Sequence, residues 1–187
     1  MVNKKIAMFV IALAAAIASQ AQASTIDVTD TAWHAFDVDP NTASSQGLEW
    51  IDISDGSALD FKFTLTSSAV LTVVDGGFSG DRYQVFDNGT ALGTTSSAPN
   101  SAPNSLGLNF DAALASGTYS TASFILGAGE HDLTGLLAQS ALDETNQPFD
   151  ASVGGLRLQP VPLPGAALLF LSGSGLLSVL GRRRRTI

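Results

Sequence analysis

Cysteine is absent from the 187-residue chain. That removes thiol nucleophiles, cysteine-zinc sites and disulfide redox chemistry, and it leaves the fold to be held by its own core. Histidine is scarce as well, with only His34 and His131. A hydrolase needs a nucleophile, a base and an orienting group in one place. No Gly-x-Ser-x-Gly elbow stands between a strand and a helix, and Gly173-Ser174-Gly175 falls inside a C-terminal apolar segment. His131, in Gly129-Glu130-His131-Asp132, reads as a residue where a turn hands over to a strand. No enzyme is expected. Basic residues are scarce through the middle of the chain. Between residues 24 and 160, Lys62, Arg82 and Arg157 face all 17 acidic residues, which gives this part −14 against −8 for the whole. Such a charge repels phosphates, so nucleic acid and anionic lipid are not expected partners, whereas divalent cations are attracted.

What the sequence does have is concentrated at its ends. The first residues read MVNKKIAMFVIALAAAIASQAQAS. Lys4 and Lys5 precede an apolar run from Ile6 to Ala18, and Ala21 and Ala23 supply the small residues of a signal-peptidase site. The run would be about 20 Å long as a helix, short for a ~30 Å hydrocarbon core. Residues 1–23 are therefore expected to be a signal peptide, handled by the Sec machinery and cut after Ala23.

The other end reads VPLPGAALLFLSGSGLLSVLGRRRRTI. Residues 165–181 are uncharged and long enough, at about 25 Å, for a transmembrane helix in a thin bilayer. Arg182, Arg183, Arg184 and Arg185 follow, and the positive-inside rule keeps that end in the cytoplasm. Pro162 and Pro164 keep the junction before the segment extended. On physical grounds alone a plain membrane anchor fits as well as a processed one.

The three-part pattern of Val161-Pro162-Leu163-Pro164, one short apolar helix and a terminal arginine cluster resembles the PEP-CTERM sorting signal of Gram-negative, exopolysaccharide-producing bacteria. Here the tripeptide is Pro162-Leu163-Pro164, without the glutamate of the Pro-Glu-Pro form. The resemblance implies an exosortase substrate, held for a time in the inner membrane and cut near the tripeptide. Its body would then pass to the cell surface or extracellular matrix.

The body, residues 24–160, reads as one all-β domain. Leu59, Phe61, Phe63 and Leu65 alternate with polar residues, which makes a half-buried strand. Val70 to Val74 is a nearly continuous apolar run, the pattern of a more deeply buried one. Residues 82–86 and 91–93 form a hairpin about Asn88-Gly89, where the match to a glycosylation sequon is accounted for by the turn. Residues 118–126, 131–137 and 155–159 read as further strands, and the duplicated Ser-Ala-Pro-Asn at 97–104 as an exposed connection. Short strands, glycine-rich turns and no long amphipathic helix predict a β-sandwich of jelly-roll type. Trp33, Phe36 to Asp39, Leu48 to Asp52, Leu71 to Arg82, the stretch GDRYQVFDNG and Leu92 to Ser96 resemble a group of PEP-CTERM proteins with no established activity. The hairpin is also loosely similar to CUB-type sandwiches.

Asp75, Asp81 and Asp87 stand six residues apart. Asp75 and Asp81 flank one glycine-rich loop and can meet. Asp87 comes one strand later, at the opposite end. Calcium takes six to eight oxygens from loops of this kind, so Asp75 and Asp81, completed by Asp52 or Asp55, are the candidate metal ligands. Asp37-Val38-Asp39-Pro40-Asn41 begins like an EF-hand loop, but Thr42 stands where the motif needs glycine and Leu48 where it needs glutamate, with Glu49 displaced by one. It reads as an Asx-rich turn. Trp33 and His34 could line a sugar site, although a core tryptophan is the plainer reading. The function expected is structural or adhesive, in an exopolysaccharide-associated envelope or biofilm. The alternative is a calcium-assisted carbohydrate-binding module.

Overall fold

The computed structural model describes residues 22–27, 29–39 and 48–161. Alternation builds the strands that the pattern predicts. In β3 (Leu59–Leu65) the apolar residues point into the core, while Lys62 and Thr64 are exposed. β4 (Ala69–Asp75) is buried at every position except Val70. β6 (Arg82–Asp87) and β7 (Thr90–Thr94) form the hairpin, with Asn88 at φ 49° and Gly89 at φ 74° in its turn. β9 (Thr121–Leu126), β10 (Gly129–Gln139) and β11 (Ser152–Pro160) complete the set, the last two longer than their apolar cores suggest.

Five elements were not expected. β1 (Gln22–Thr25) and β2 (His34–Val38) are short edge strands. β2 contains Asp37 and Val38, so this part of the EF-hand-like stretch is extended strand and not an Asx turn. β5 (Gly77–Phe78) and β8 (Ser105–Gly107) pair as a small separate ribbon. The helix α1 (Phe110–Ser116) is capped by Asn109, whose Oδ1 accepts from Ala112 N, and it closes at Gly117 with φ 67°.

The main strands form two sheets, β1-β3-β10-β6-β7 and β2-β11-β4-β9. Both contribute to one core, so the body is a β-sandwich. The chain crosses between sheets at most steps: β9 and β10, joined through Gly127 and Ala128, lie in different sheets. At the centre Phe36 stacks on Trp50 with ring centroids 4.0 Å apart, and Tyr83 meets Phe36 edge-on at 5.0 Å. A smaller cluster of Val74, Phe110, Ala113 and Tyr119 seats the helix on the second sheet.

β1 begins two residues before the expected mature N-terminus and pairs Gln22 with Leu59 and Ala23 with Asp60. Cleavage after Ala23 would leave Ser24 and Thr25 of that strand. Ala21, Pro162 to Pro164, the expected span 165–181 and Arg182 to Arg185 lie outside the described residues. Among the described residues no helix is long and apolar enough to cross a membrane.

Candidate functional site

The glycine-rich loop after β4 carries the chain from one sheet to the other, and its geometry gathers the acidic residues. Gly80 has φ +136°, and a Cβ there would come 2.4 Å from Asn100 Oδ1 and 3.0 Å from Ala141. Only glycine permits this turn. With the turn in place, Gly80 N donates to Asp75 Oδ2 at 3.0 Å, and Ala141 N donates to Asp81 Oδ1 at 2.6 Å.

The two expected ligands are therefore brought together, and both are deeply buried, at 0% and 3% exposure. Burial pushes the Asp75 carboxyl up to about 9, helped by the neighbouring charge of Asp81 and opposed by backbone donors. Burial raises Asp81 to about 6, against the pull of Ala141 N and the Ser152 hydroxyl. Asp75 Oδ1 makes no hydrogen bond to the protein. The Ser152 hydroxyl also lies 2.6 Å from Tyr83 Oη, and Tyr83 is pushed well above its usual range by burial and by Asp81, Asp75 and Asp37.

A cleft of about 210 Å³ opens here, lined by Asp37, Phe78, Asp81, Phe149 and Ser152. Asp37 is itself raised, first by desolvation. At neutral pH such a pair is satisfied by keeping one proton or by exchanging it for a cation. Asp52 and Asp55 do not complete a ligand set. Asp52 Oδ1 accepts from Ser54 N at 2.7 Å, and Asp55 Oδ1 from Ser57 N at 2.9 Å, each inside its own turn. Among the described residues no three His, Asp or Glu side chains come together as a metal cluster.

Asp87 stands at the other end of β6, as expected. Its Oδ2 lies 2.8 Å from His131 Nδ1, while His131 Nε2 lies 3.0 Å from Gly127 O and the ring stacks on Phe63. His131 is thus held between a carboxylate and a carbonyl, with no nucleophile among its partners. Trp33 is not the core tryptophan that was expected. It is half-buried, donates through Nε1 to Asp111 Oδ1 at 3.0 Å, and carries the Arg157 guanidinium 4.3 Å above its ring. Arg157 also bonds Asp111 at 2.9 Å, so this indole already has a partner on one face. The core position belongs to Trp50, at 1% exposure.

No protein-family model matches the chain, and no curated protein matches it in sequence. Among solved structures the chain is similar to the pre-peptidase C-terminal domain of a collagenase from Bacillus anthracis. The TM-score is 0.40 at 8% identity, over 75% of this chain and 97% of that one.

Proposed function

We propose that the chain is an exported surface or extracellular-matrix protein of a Gram-negative bacterium, sorted through its C-terminal signal, with a structural or adhesive role. The observation that supports this most is where the folded body ends. β11 lies between β2 and β4, and Val161 N reaches back to Ser68 O at 3.4 Å, directly before Pro162-Leu163-Pro164. A cut at the tripeptide would release every described element with the core intact. The helix at 165–181 and Arg182 to Arg185 would serve to hold and orient the chain for exosortase, after Sec export and removal of the signal peptide. An acidic surface suits a soluble component of a polysaccharide layer.

The sandwich itself is read as a jelly-roll, with a looser likeness to CUB domains. The order β2-β11-β4-β9 facing β3-β10-β6-β7, with β6–β7 as the hairpin that stays in one sheet, supports that reading. Intact-mass and C-terminal peptide measurement of the native protein, from membranes and from medium, tests the sorting. Loss of everything beyond the tripeptide is expected. A retained arginine tail in a membrane-only protein would reduce the signal to a plain anchor.

A second reading, a calcium-assisted carbohydrate-binding module, is favoured by the meeting of Asp75 and Asp81 with an unpartnered Asp75 Oδ1. Calcium bound there would raise Tm at pH 8 far more than at pH 5, where the proton competes.

A further inference from the structure

The outer strands of the two main sheets are β1, β2, β7 and β9. An outer strand offers unpaired N–H and C=O groups to any strand that meets it, and natural sheets blunt such edges. Three of these edges are blunted. β1 is four residues long. β2 is covered by Ile51, which exchanges both backbone bonds with Asp37, at 3.0 and 2.8 Å. β7 is bulged against β6 between Val85 and Phe86 and carries Gly93 at φ 151°. β9 has none of these devices. Its pairs with β4 keep one register from Thr121 to Leu126, without proline, charge or bulge.

The register also fixes which groups of β9 are open. Asp75 N donates to Ser120 O at 2.9 Å, so in this antiparallel ladder Ala122, Phe124 and Leu126 turn their backbone groups to β4. Thr121, Ser123 and Ile125 turn theirs outward. Ser96 N takes up Thr121 O at 3.0 Å, and among the described residues nothing bonds the outward groups of Ser123 or Ile125. The Ile125 side chain is open as well: at 77% it is the most exposed large hydrophobic among the described residues.

Charge points to the partner. Between Asn88 and Gly129, the stretch that holds β7, β8, α1 and β9, Asp111 is the only charged residue, whereas residues 24–160 carry −14 in all. A cationic partner finds nothing to pair with on β9 and is drawn to the acidic remainder of the body. A second copy of the chain is repelled by that remainder and least by this edge. It also fits. With a two-fold axis at Phe124, Ser123 of each copy stands opposite Ile125 of the other, and the outward groups of both are satisfied.

We propose that β9 pairs antiparallel with β9 of a second copy, joining two four-stranded sheets into one. The contact is isologous and uses up the open edge, so assembly stops at a dimer. It is small, so the dimer is weak, and salt strengthens it by screening the two acidic bodies. The pairing lies outside the sorting signal and does not depend on how the chain is anchored or cut.

The full chain has no cysteine of its own, which suits it to disulfide trapping. Residues opposed in a hydrogen-bonded pair have Cα atoms about 5.5 Å apart, within the roughly 4.4–6.8 Å span of a disulfide. Ser123→Cys and Ile125→Cys chains are mixed in a polyoxyethylene detergent, oxidised with copper phenanthroline and read on non-reducing gels. The mixed dimer is expected to form about tenfold or more faster than dimers of Thr64→Cys, an exposed site on β3, and faster still at about 0.5 M salt. Excess parent chain should slow the trapping. Excess Ile125→Pro should not, because it removes an outward N–H and leaves the ladder to β4 intact. Ile125→Glu serves if that variant fails to fold by far-UV circular dichroism. The proposal is overturned by a rate no greater than that of Thr64→Cys, by trapping that salt slows, or by folded variants that compete as well as the parent.

Discussion

Asp81 and Asp87 sit at the two ends of one region, Asp81 just before β6 and Asp87 as its last residue, and their surroundings are opposite. At the first end Asp75 and Asp81 are shut away together, bonded by backbone amides, by the Ser152 hydroxyl and by each other. At the other, Asp87 faces His131 and also accepts from Asp132 N at 3.3 Å. The residue type and the six-residue spacing are the same. What differs is which segments arrive from far along the chain: Ala141 and Ser152 close the first end, while His131 and the Gly127 carbonyl close the second. One end is a place where burial suppresses carboxylate charge; the other is where a carboxylate is hydrogen-bonded to an imidazole.

The comparison breaks most severely if the crossover turn is disturbed. Gly80→Val must fit a side chain at φ +136° and against Asn100 and Ala141. A loss of about 3 kcal/mol or more is expected, read as a collapse of Tm.

The next effect concerns pH. Asp75 and Asp81 hold their protons in the folded state up to about 9 and about 6, whereas the unfolded chain releases them near 4. Between those values the folded state carries more protons, so stability falls as pH rises from about 4 towards 9. A Tm lower by about 5–10 °C at pH 9 than at pH 4.5 is expected in calcium-free buffer. Asp75→Asn keeps the shape and the acceptor for Gly80 N while carrying no charge. It should match the parent at pH 4.5, exceed it at pH 9, and so flatten the profile in a thermal-melt series.

The smallest effect is at the other end. Asp87→Asn weakens a bond whose side chains are 9% and 15% exposed, and should cost about 1 kcal/mol with no flattening of the alkaline limb. If Asp87→Asn rather than Asp75→Asn flattened that limb, the assignment of the two ends would be reversed.

The strands that could be read from sequence carry a signal of their own: alternation in β3, a continuous apolar run in β4, the Asn-Gly turn of the β6–β7 hairpin, and apolar stretches between turn signals in β9, β10 and β11. β1, β2, β5 and β8 are too short to carry a period, and their pairing is set by neighbours. The helix did leave a local signal, Asn109 as cap and Gly117 as stop, but seven residues are too few for a periodic stripe. That Asp75 and Asp81 meet was legible because one glycine-rich loop joins them. Their enclosure was not, because Asp81 is bonded by a residue 60 positions away. Asp60 shows the same limit: alternation assigns it to the outer face correctly, and only the bridging of Glu49 and Ile51 to distant partners explains why it is buried there. Trp33 stands at the surface rather than in the core for a similar reason, since Asp111 and Arg157 are far from it in sequence.

The most direct test of the two-ended account is a pH titration of the Asp75, Asp81 and Asp87 side-chain carboxyl carbons by NMR, without and with Ca²⁺. The account predicts that in calcium-free buffer Asp75 stays protonated through pH 7 and ionises near 9, and that Ca²⁺ binding, where it occurs, displaces that proton at lower pH. An Asp75 carboxyl already ionised at pH 5 in the absence of any divalent cation would contradict it.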